Sequence, residues 1–187
     1  MQDWRQAEKP LPEEAGAVDW RIILCYHENT DNPKTVGGSN MLRGIPDIIG
    51  SDLLKALADT GHGDLIVIAD HFYPPYSKSP HAVSIQAKGT GSVEMLDAVL
   101  QLVPLDVEYS KQPLWYIVPD QDSGVVVETN PVWDGIRQTV AAHGYDPACI
   151  GTLERMKFYE KAGDASVTIC TSETQPYGCI ILKKSVK

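Results

Sequence analysis

The fold is indicated first by residues 65–69, Leu-Ile-Val-Ile-Ala, which are apolar without a break. A run of this length is typical of a strand that is buried on both faces of a sheet. Asp70 follows the run directly. In open α/β sheets, ligands gather outside the carboxyl ends of the strands. Asp70 is therefore a candidate ligand contact, able to accept two hydroxyl hydrogen bonds, and its alternative role is a helix or turn cap.

A helix is predicted immediately before this strand. Ser51 and Asp52 can cap it, and its apolar positions lie within 53–57. Gly61 can end it in a left-handed turn.

The elements downstream alternate between helix and strand. Further strands are predicted at 83–87, 114–118, 166–171 and 179–182, and further helices near 95–103, 131–144 and 158–160. In the first of these strands Val83, Ile85 and Ala87 should share the covered face. The alternation predicts an α/β domain, a sheet with helices on both faces. Residues 1–40 carry one apolar run, at 21–26, that could form a strand before a turn-rich linker.

Composition excludes several classes of function. Of 187 residues, 43% are apolar, and 25 acidic against 16 basic residues give a formal charge of −9. A chain this acidic is poorly suited to bind nucleic acid or an anionic membrane surface. No apolar run reaches the ~18 residues of a membrane helix, and the N-terminus lacks the pattern of a secretory signal. The four cysteines form no close pair, which favours reduced thiols and a cytoplasmic protein.

His62 is the candidate general acid or base. It stands between Gly61 and Gly63, which leave its imidazole reachable, and histidine is the commonest residue in that role. The alternative is a solvated cation near the end of a helix.

A metal site is the competing interpretation of this region. His62, Asp64, Asp70 and His71 offer nitrogen and oxygen ligands. Their spacing fits no standard zinc pattern, so no metal is predicted.

Two further candidates lie near the C-terminus. Arg155 has five donors that could fork onto sugar oxygens, and its alternative is an ion pair with Glu154 or Glu160. Tyr177 stands in a tight turn with Gly178, as a packing aromatic or as a hydroxyl donor.

Several short motifs, taken in order, resemble the L-fucose mutarotase family, the sister group of D-ribose pyranase. They are Met-Leu-Arg-Gly-Ile-Pro at 41–46, Gly-His-Gly-Asp at 61–64, Ile-Val-Ile-Ala-Asp at 66–70, Val-Pro-Leu-Asp at 103–106, Arg-Met-Lys-Phe-Tyr-Glu-Lys-Ala at 155–162 and Gln-Pro-Tyr-Gly-Cys-Ile-Ile-Leu-Lys-Lys at 175–184. The resemblance covers residues 41–187. Residues 1–40 are therefore interpreted as an N-terminal extension to a family-sized domain.

The resemblance implies a three-layer α/β/α sandwich with a mixed sheet. It also implies a ring-shaped homo-oligomer, an octamer or a decamer, with sites between subunits. The implied activity is cofactor-free interconversion of the anomers of a monosaccharide, L-fucose before D-ribose or another sugar, and a non-catalytic sugar-binding oligomer is the alternative. By position, His62 matches the catalytic histidine, while Asp70, Arg155 and the turn of Tyr177, Gly178 and Cys179 match the sugar contacts.

The chain departs from the family at two positions of the implied site. Cys179 stands where the family usually has Asn, and a thiol donates and accepts only weakly. Phe72 stands where His or Asn is usual, which makes that wall of the implied pocket less polar.

Overall fold

The computed structural model describes residues 42–186. The expected extension, with its candidate strand at 21–26, lies outside the described residues. Within them the elements follow in the order α1 (Ser51–Asp59), β1 (Leu65–Ala69), α2 (Pro75–Lys78), β2 (Val83–Gln86), α3 (Ser92–Leu100), β3 (Leu114–Val118), α4 (Pro131–Ala142), β4 (Ile150–Glu154), α5 (Arg155–Ala162), β5 (Ala165–Cys170) and β6 (Ile180–Lys183). None of the helices in this part of the chain is long and apolar enough to cross a membrane.

The six strands form one mixed sheet in the order β2-β5-β1-β6-β3-β4. β6 runs antiparallel to both of its neighbours, β1 and β3, and the other pairs are parallel. The carboxyl ends of five strands and the amino end of β6 therefore share one edge of the sheet, called here the carboxyl edge. The opposite edge is called the amino edge.

The sheet is covered on both faces, as the predicted three-layer sandwich requires. Every residue of β1 is buried. Its Ile66 and Ile68 pack with the apolar faces of α1, α3 and α4, and its Val67 and Ala69 pack with Phe158 of α5. Side chains alternate across a strand, so β1 supplies both cores, which is why its sequence is apolar without a break.

The predicted cap of α4 is confirmed. Asn130 Oδ1 accepts a hydrogen bond from the Val132 N–H at 2.9 Å, and Pro131 is the first helical residue. Gly144, just beyond the helix, is left-handed at φ +81°. Asparagine at the cap, proline next and glycine after the end are all favoured for physical reasons.

The predicted ends of α1 are wrong. Ser51 is the first residue of the helix, Gly50 holds the cap position, and no side chain caps it. At the other end Thr60 is extended and its Oγ1 donates to the Leu57 carbonyl at 2.7 Å. The Thr60 hydroxyl thus ends the helix, which is the role expected of a left-handed Gly61. The left-handed residue in this loop is Gly63 instead.

The two outer strands of the sheet also differ from what the sequence predicts. Val83 was expected on the covered face, but it is 55% exposed because β2 is the outermost strand beside β5. β4, at the other outer position, was not predicted at all. Its Gly151 lies against the indole of Trp115, where an added Cβ would be only 2.6 Å from Trp115 Cδ1.

Candidate functional site

A cavity of about 300 Å³ opens at the carboxyl edge, which is the size range of small-ligand sites. It lies where β1 ends, α5 begins and the chain turns into β6. Its walls are formed by Asp70, Phe72, Ile117, Arg155, Tyr159, Pro176, Tyr177 and Cys179. The fold therefore brings four of the six predicted site residues to one cavity, and Gly178 joins them through its backbone.

The Asp70 carboxylate connects two backbone segments that form the cavity wall. Its Oδ1 accepts the Phe72 N–H at 3.0 Å and its Oδ2 accepts the Gly178 N–H at 3.2 Å. Burial raises the pKa of this carboxyl group, against the lowering effect of its hydrogen bonds, including that with Cys179 and those from the backbone. Each oxygen retains acceptor capacity, so a hydroxyl ligand can still be bound.

The turn before β6 is held in place by α4. The indole N–H of Trp133 donates to the Tyr177 carbonyl at 3.0 Å, and the amide of Asn130 donates to the Pro176 carbonyl at 3.0 Å. Tyr177 itself is left-handed, at φ +61°. A left-handed tyrosine is strained, and strain of this kind persists where the surroundings hold the backbone in place.

Arg155 begins α5 at the cavity wall. The alternative of an ion pair for Arg155 named the wrong partners, Glu154 or Glu160: Arg155 Nε donates to Asp120 Oδ2 at 2.9 Å. Asp120 Oδ1 accepts the Met156 N–H at 3.1 Å. That backbone hydrogen bond first, and Arg155 second, lower the pKa of Asp120. Half of the Arg155 side chain is exposed, so its remaining donors can reach a ligand.

Cys179 forms part of the cavity floor and also belongs to the core. Its side chain is buried among Tyr73, Ile117 and Phe158, and its Sγ accepts the Asp70 N–H at 3.3 Å. Burial raises the pKa of this thiol, so it is neutral at physiological pH. Tyr159 packs against the same buried cluster, and burial raises the pKa of that phenol too.

His62 lies at the opposite, amino edge of the sheet. The five residues of β1 separate it from Asp70, and at ~3.3 Å per residue that strand alone spans roughly 13 Å. The His62 Nε2 is 3.4 Å from Asp106 Oδ1, and its ring lies 5.0 Å from the Tyr109 ring. Among the described residues of one copy, no cavity is therefore lined by His62 together with the other predicted site residues.

The same separation divides the four residues of the alternative metal site within one copy of the chain. His62 and Asp64 precede β1, whereas Asp70 and His71 follow it. Across residues 42–186, no three His, Cys, Asp or Glu side chains come together in a way that could hold a metal ion.

Sequence reasoning missed three residues of the cavity region and of the surroundings of His62. They are Asp120, Tyr159 and Asp106. Asp120 follows β3 closely, as Asp70 follows β1, so the rule applied to Asp70 could have found it. Tyr159 was visible only as part of a motif. Asp106 was likewise visible only as part of the motif at 103–106; it is fully buried, and nothing else in the local sequence marks a buried carboxylate.

The comparisons with known proteins agree with this architecture. The sequence profile of the RbsD / FucU transport protein family matches residues 43–187. A relative named fucose mutarotase from Bos taurus is 40% identical over 150 residues, which cover 78% of this chain and 94% of the relative.

Two solved structures are similar in fold and sequence. FucU from Bifidobacterium longum is 36% identical with a TM-score of 0.71, and the match covers 78% of this chain and 99% of that one. The fucose mutarotase of Streptococcus pneumoniae, solved in complex with L-fucose, is 37% identical with a TM-score of 0.67 at the same coverage. The profile match, the identity of the relatives and the shared fold together establish that this chain belongs to the RbsD / FucU family.

Proposed function

We propose that the protein interconverts the α and β anomers of L-fucose by opening and closing the sugar's hemiacetal ring. The observation that carries the proposal is the cavity at the carboxyl edge, where a carboxylate, a guanidinium and two tyrosines surround a space suited to a small polyol. It is supported by the relatives, which are named fucose mutarotases, one of them solved with L-fucose.

The reaction needs proton transfer and no change of oxidation state. On ring opening the anomeric hydroxyl loses a proton and the ring oxygen gains one, and closure reverses both transfers. Histidine, with an ordinary pKa of ~6.5, can give and take that proton near neutral pH. We assign this role to His62, and the binding of sugar hydroxyls to Asp70, Arg155, Tyr177, Gly178 and Cys179.

We further propose that each site forms between two copies of the chain, the cavity of one and His62 of the other. His62 is too far from Asp70 to serve the same copy's cavity. Exposed apolar side chains stand beside both halves: Val107 and Tyr109 near His62, Phe72 in the cavity wall, and Met156 next to Arg155 in the chain. Exposed apolar groups of this kind are typical of contact surfaces. The number of copies, eight or ten, stays a prediction from the resemblance.

The first test is NMR measurement of anomer exchange on L-fucose. His62→Ala should lower the exchange rate by at least about tenfold while the fold survives, because an imidazole in a loop contributes chemistry more than core. His143→Ala is the matched control, since His143 also pairs with an aspartate, Asp97, at 2.8 Å but lies away from the cavity. An unchanged rate in the His62 variant contradicts the assignment.

The second test asks whether the site is shared between copies. His62→Ala and Arg155→Ala chains, each expected to have lost most of its activity, are unfolded and refolded together. In a random 1:1 mixture about a quarter of the shared sites would receive both intact halves, and activity should return to that extent. If native mass spectrometry detects mixed oligomers and no activity returns, the site is not shared.

A non-catalytic sugar-binding oligomer is the second candidate. The observation that favours it is the buried thiol of Cys179 at the cavity floor, a weak partner for a hydroxyl group. The same NMR experiment distinguishes the two, because this candidate binds sugar without accelerating exchange. Trials with D-ribose and D-galactose test the preference for fucose.

A cytoplasmic location is proposed on the chemistry of the thiols. Cys149, Cys170 and Cys179 are unpaired and buried in the structure. Unpaired thiols are usual where the compartment is reducing. Reaction of the native and the unfolded chain with a thiol reagent would count how many are free.

A further inference from the structure

Glu173 lies in the loop between β5 and β6, at the carboxyl edge, and its half-buried side chain joins two parts of the fold. Its Oε1 accepts the Gln175 N–H at 2.9 Å, which fixes the start of the turn before β6. Its Oε2 accepts the N–H of Ser92, the first residue of α3, at 3.3 Å. The carboxylate therefore connects this turn to a helix that begins 81 residues earlier in the chain.

The backbone of Glu173 holds a third part of the fold, the end of β1. Its carbonyl oxygen accepts the N–H of His71, the neighbour of Asp70, at 2.8 Å. Its N–H donates to Thr171 Oγ1 at 3.2 Å, and that hydroxyl donates to the Ala69 carbonyl at 2.8 Å. One residue is thus bonded to both chain segments that the Asp70 carboxylate connects at the cavity wall.

Two glycines make room for the Glu173 side chain. A Cβ added at Gly178 would lie 2.8 Å from Glu173 Cγ, and one added at Gly91 would lie 3.3 Å from Glu173 Oε2. Gly178 is also the residue whose N–H is accepted by Asp70. The side chain is therefore packed closely between the turn and the start of α3, and a shorter one would leave a gap beside the cavity wall.

The helix α3 is a firm anchor for this contact. Its Met95, Leu96 and Val99 have no exposed surface and belong to the core. The N–H groups of the first turn of a helix have no partner within the helix, and the helix dipole favours a carboxylate at that end. Glu173 thus fastens a loop to an element that the core already fixes.

We infer that Glu173 is a positioning residue for sugar binding, which sets the distance between the end of β1 and the turn that carries Tyr177. The inference rests on the proposed function, in which Asp70 and Tyr177 bind sugar hydroxyls. Glu173 is not among the residues that line the cavity, so it acts on the sugar through these two segments. A wall that already has its binding geometry does not have to be ordered when the sugar arrives.

The first test compares Glu173→Ala and Glu173→Gln with the wild type, by titration with L-fucose and by anomer exchange. In Glu173→Ala the Kd and KM should rise about tenfold or more, because a displaced wall loses a hydrogen bond between the sugar and a charged group. The rate at saturating sugar should change much less, since His62 lies at the other edge of the sheet.

Glu173→Gln keeps an oxygen that can accept the Gln175 N–H, so it should weaken binding less than Glu173→Ala does. Wild-type affinity in both variants would overturn the inference. So would a fall in kcat as large as the rise in KM.

Glu94→Ala is the matched control. Glu94 is exposed in the first turn of the same helix, so the variant removes a carboxylate from the same helix end without touching the turn. Its Kd for L-fucose should equal that of the wild type. A rise as large as in Glu173→Ala would show that charge near α3, and not the position of the turn, determines affinity, and would overturn the inference.

Amide hydrogen exchange of the protein without sugar separates a local role from a general loss of structure. In Glu173→Ala the Gly178 N–H should lose protection, whereas the N–H of Ile68, buried in the middle of the sheet, should keep it. Unchanged protection at Gly178 would overturn the inference. If the alanine variant does not fold, Glu173→Gln supplies both the protection and the affinity measurements.

A double variant tests whether Glu173 acts through the turn. If it does, combining Glu173→Ala with Tyr177→Phe should raise the Kd by less than the product of the two single effects, because the Tyr177 contact is already impaired. Effects that simply multiply would overturn the inference.

The two proposals fail differently. A wild-type protein that binds L-fucose without accelerating exchange contradicts the proposed function, while the Kd values of the variants still decide the role of Glu173. A wild-type protein that accelerates exchange, beside a Glu173→Ala variant with normal Kd and normal protection at Gly178, contradicts this inference alone.

Discussion

Asp70 accepts the Gly178 N–H at 3.2 Å and so joins the end of β1 to the turn before β6, 108 residues later in the chain. The same carboxylate accepts the Phe72 N–H with its other oxygen. The cavity wall thus depends on a contact that is distant in sequence and adjacent in the sheet. A change in this turn should therefore affect stability and sugar binding together.

Gly178→Ala is expected to do both. An added Cβ would lie 2.8 Å from Glu173 Cγ and 2.9 Å from the Gln175 carbonyl oxygen, closer than a side chain can sit. Overpacking of this kind costs about 1–3 kcal/mol, so the melting temperature should fall and L-fucose binding should weaken. Gly50→Ala, where nothing lies within 4 Å of the added Cβ, should leave both unchanged. Normal binding in Gly178→Ala would mean that this turn does not shape the site.

Asp120→Asn should weaken sugar binding through Arg155. The carboxylate holds the guanidinium at 2.9 Å, and an amide cannot hold it by charge. We expect a higher KM for L-fucose with a smaller change in kcat. Asp134→Asn is the matched control, since Asp134 pairs with Arg137 on the surface at 3.1 Å. Equal effects in the two variants would contradict this role.

The same variant makes a prediction about pH. The pKa of Asp120 is lowered on folding, so the folded state binds fewer protons than the unfolded one. Its stabilising effect is therefore present above the unfolded pKa of ~3.9 and is lost as the pH falls through the folded value. The difference in melting temperature between wild type and Asp120→Asn should be constant from about pH 5 to 7 and shrink below about pH 4. A difference that grew toward low pH would contradict the assignment.

Much of the fold could be predicted because its central strands are apolar without a break. β1 and β3 are each nearly continuous apolar runs, and α4 carries its own cap in Asn130 and Pro131. β4 could not be predicted because Gly151 and Thr152 interrupt its apolar pattern. It is a strand because β3 pairs with it from Leu114 to Val118, and that pairing is not encoded locally.

The site could be predicted only in part, for a related reason. Asp70 was visible because it ends a buried run, but its partner Gly178 is reached only through the strand order. His62 could be picked out because it lies between two glycines. Its position at the amino edge, however, depends on the direction of β1 in the sheet. Asp106 acquires its contacts from Lys183 at the far end of β6, which no spacing in the sequence indicates.

Phe72→Asn should make the site less selective for a deoxy sugar. The Phe72 side chain lines the cavity and is 63% exposed in one copy. L-galactose differs from L-fucose only by a hydroxyl at C6, so an apolar wall should favour fucose by less than about a hundredfold. The ratio of the two KM values should therefore fall in the variant. Tyr76→Asn, in the same segment but outside the cavity walls, should leave that ratio as it is; a fall there too would contradict a specific role for Phe72.

Cys179→Asn is expected to tighten binding and to narrow preference toward fucose-like sugars, with little change in exchange at saturating sugar. Asn Oδ1 can replace the thiol as acceptor of the Asp70 N–H, now 3.3 Å from Sγ, and the amide N–H₂ can then donate to a sugar hydroxyl. An amide left without partners in this core would cost about 1–3 kcal/mol. Cys170→Asn is the control, because Cys170 is buried near Ser84 and away from the cavity, so it should lower the melting temperature without altering selectivity. If Cys179→Asn behaves in that same way on fucose, galactose and ribose, the thiol belongs to the core alone and does not contact the sugar.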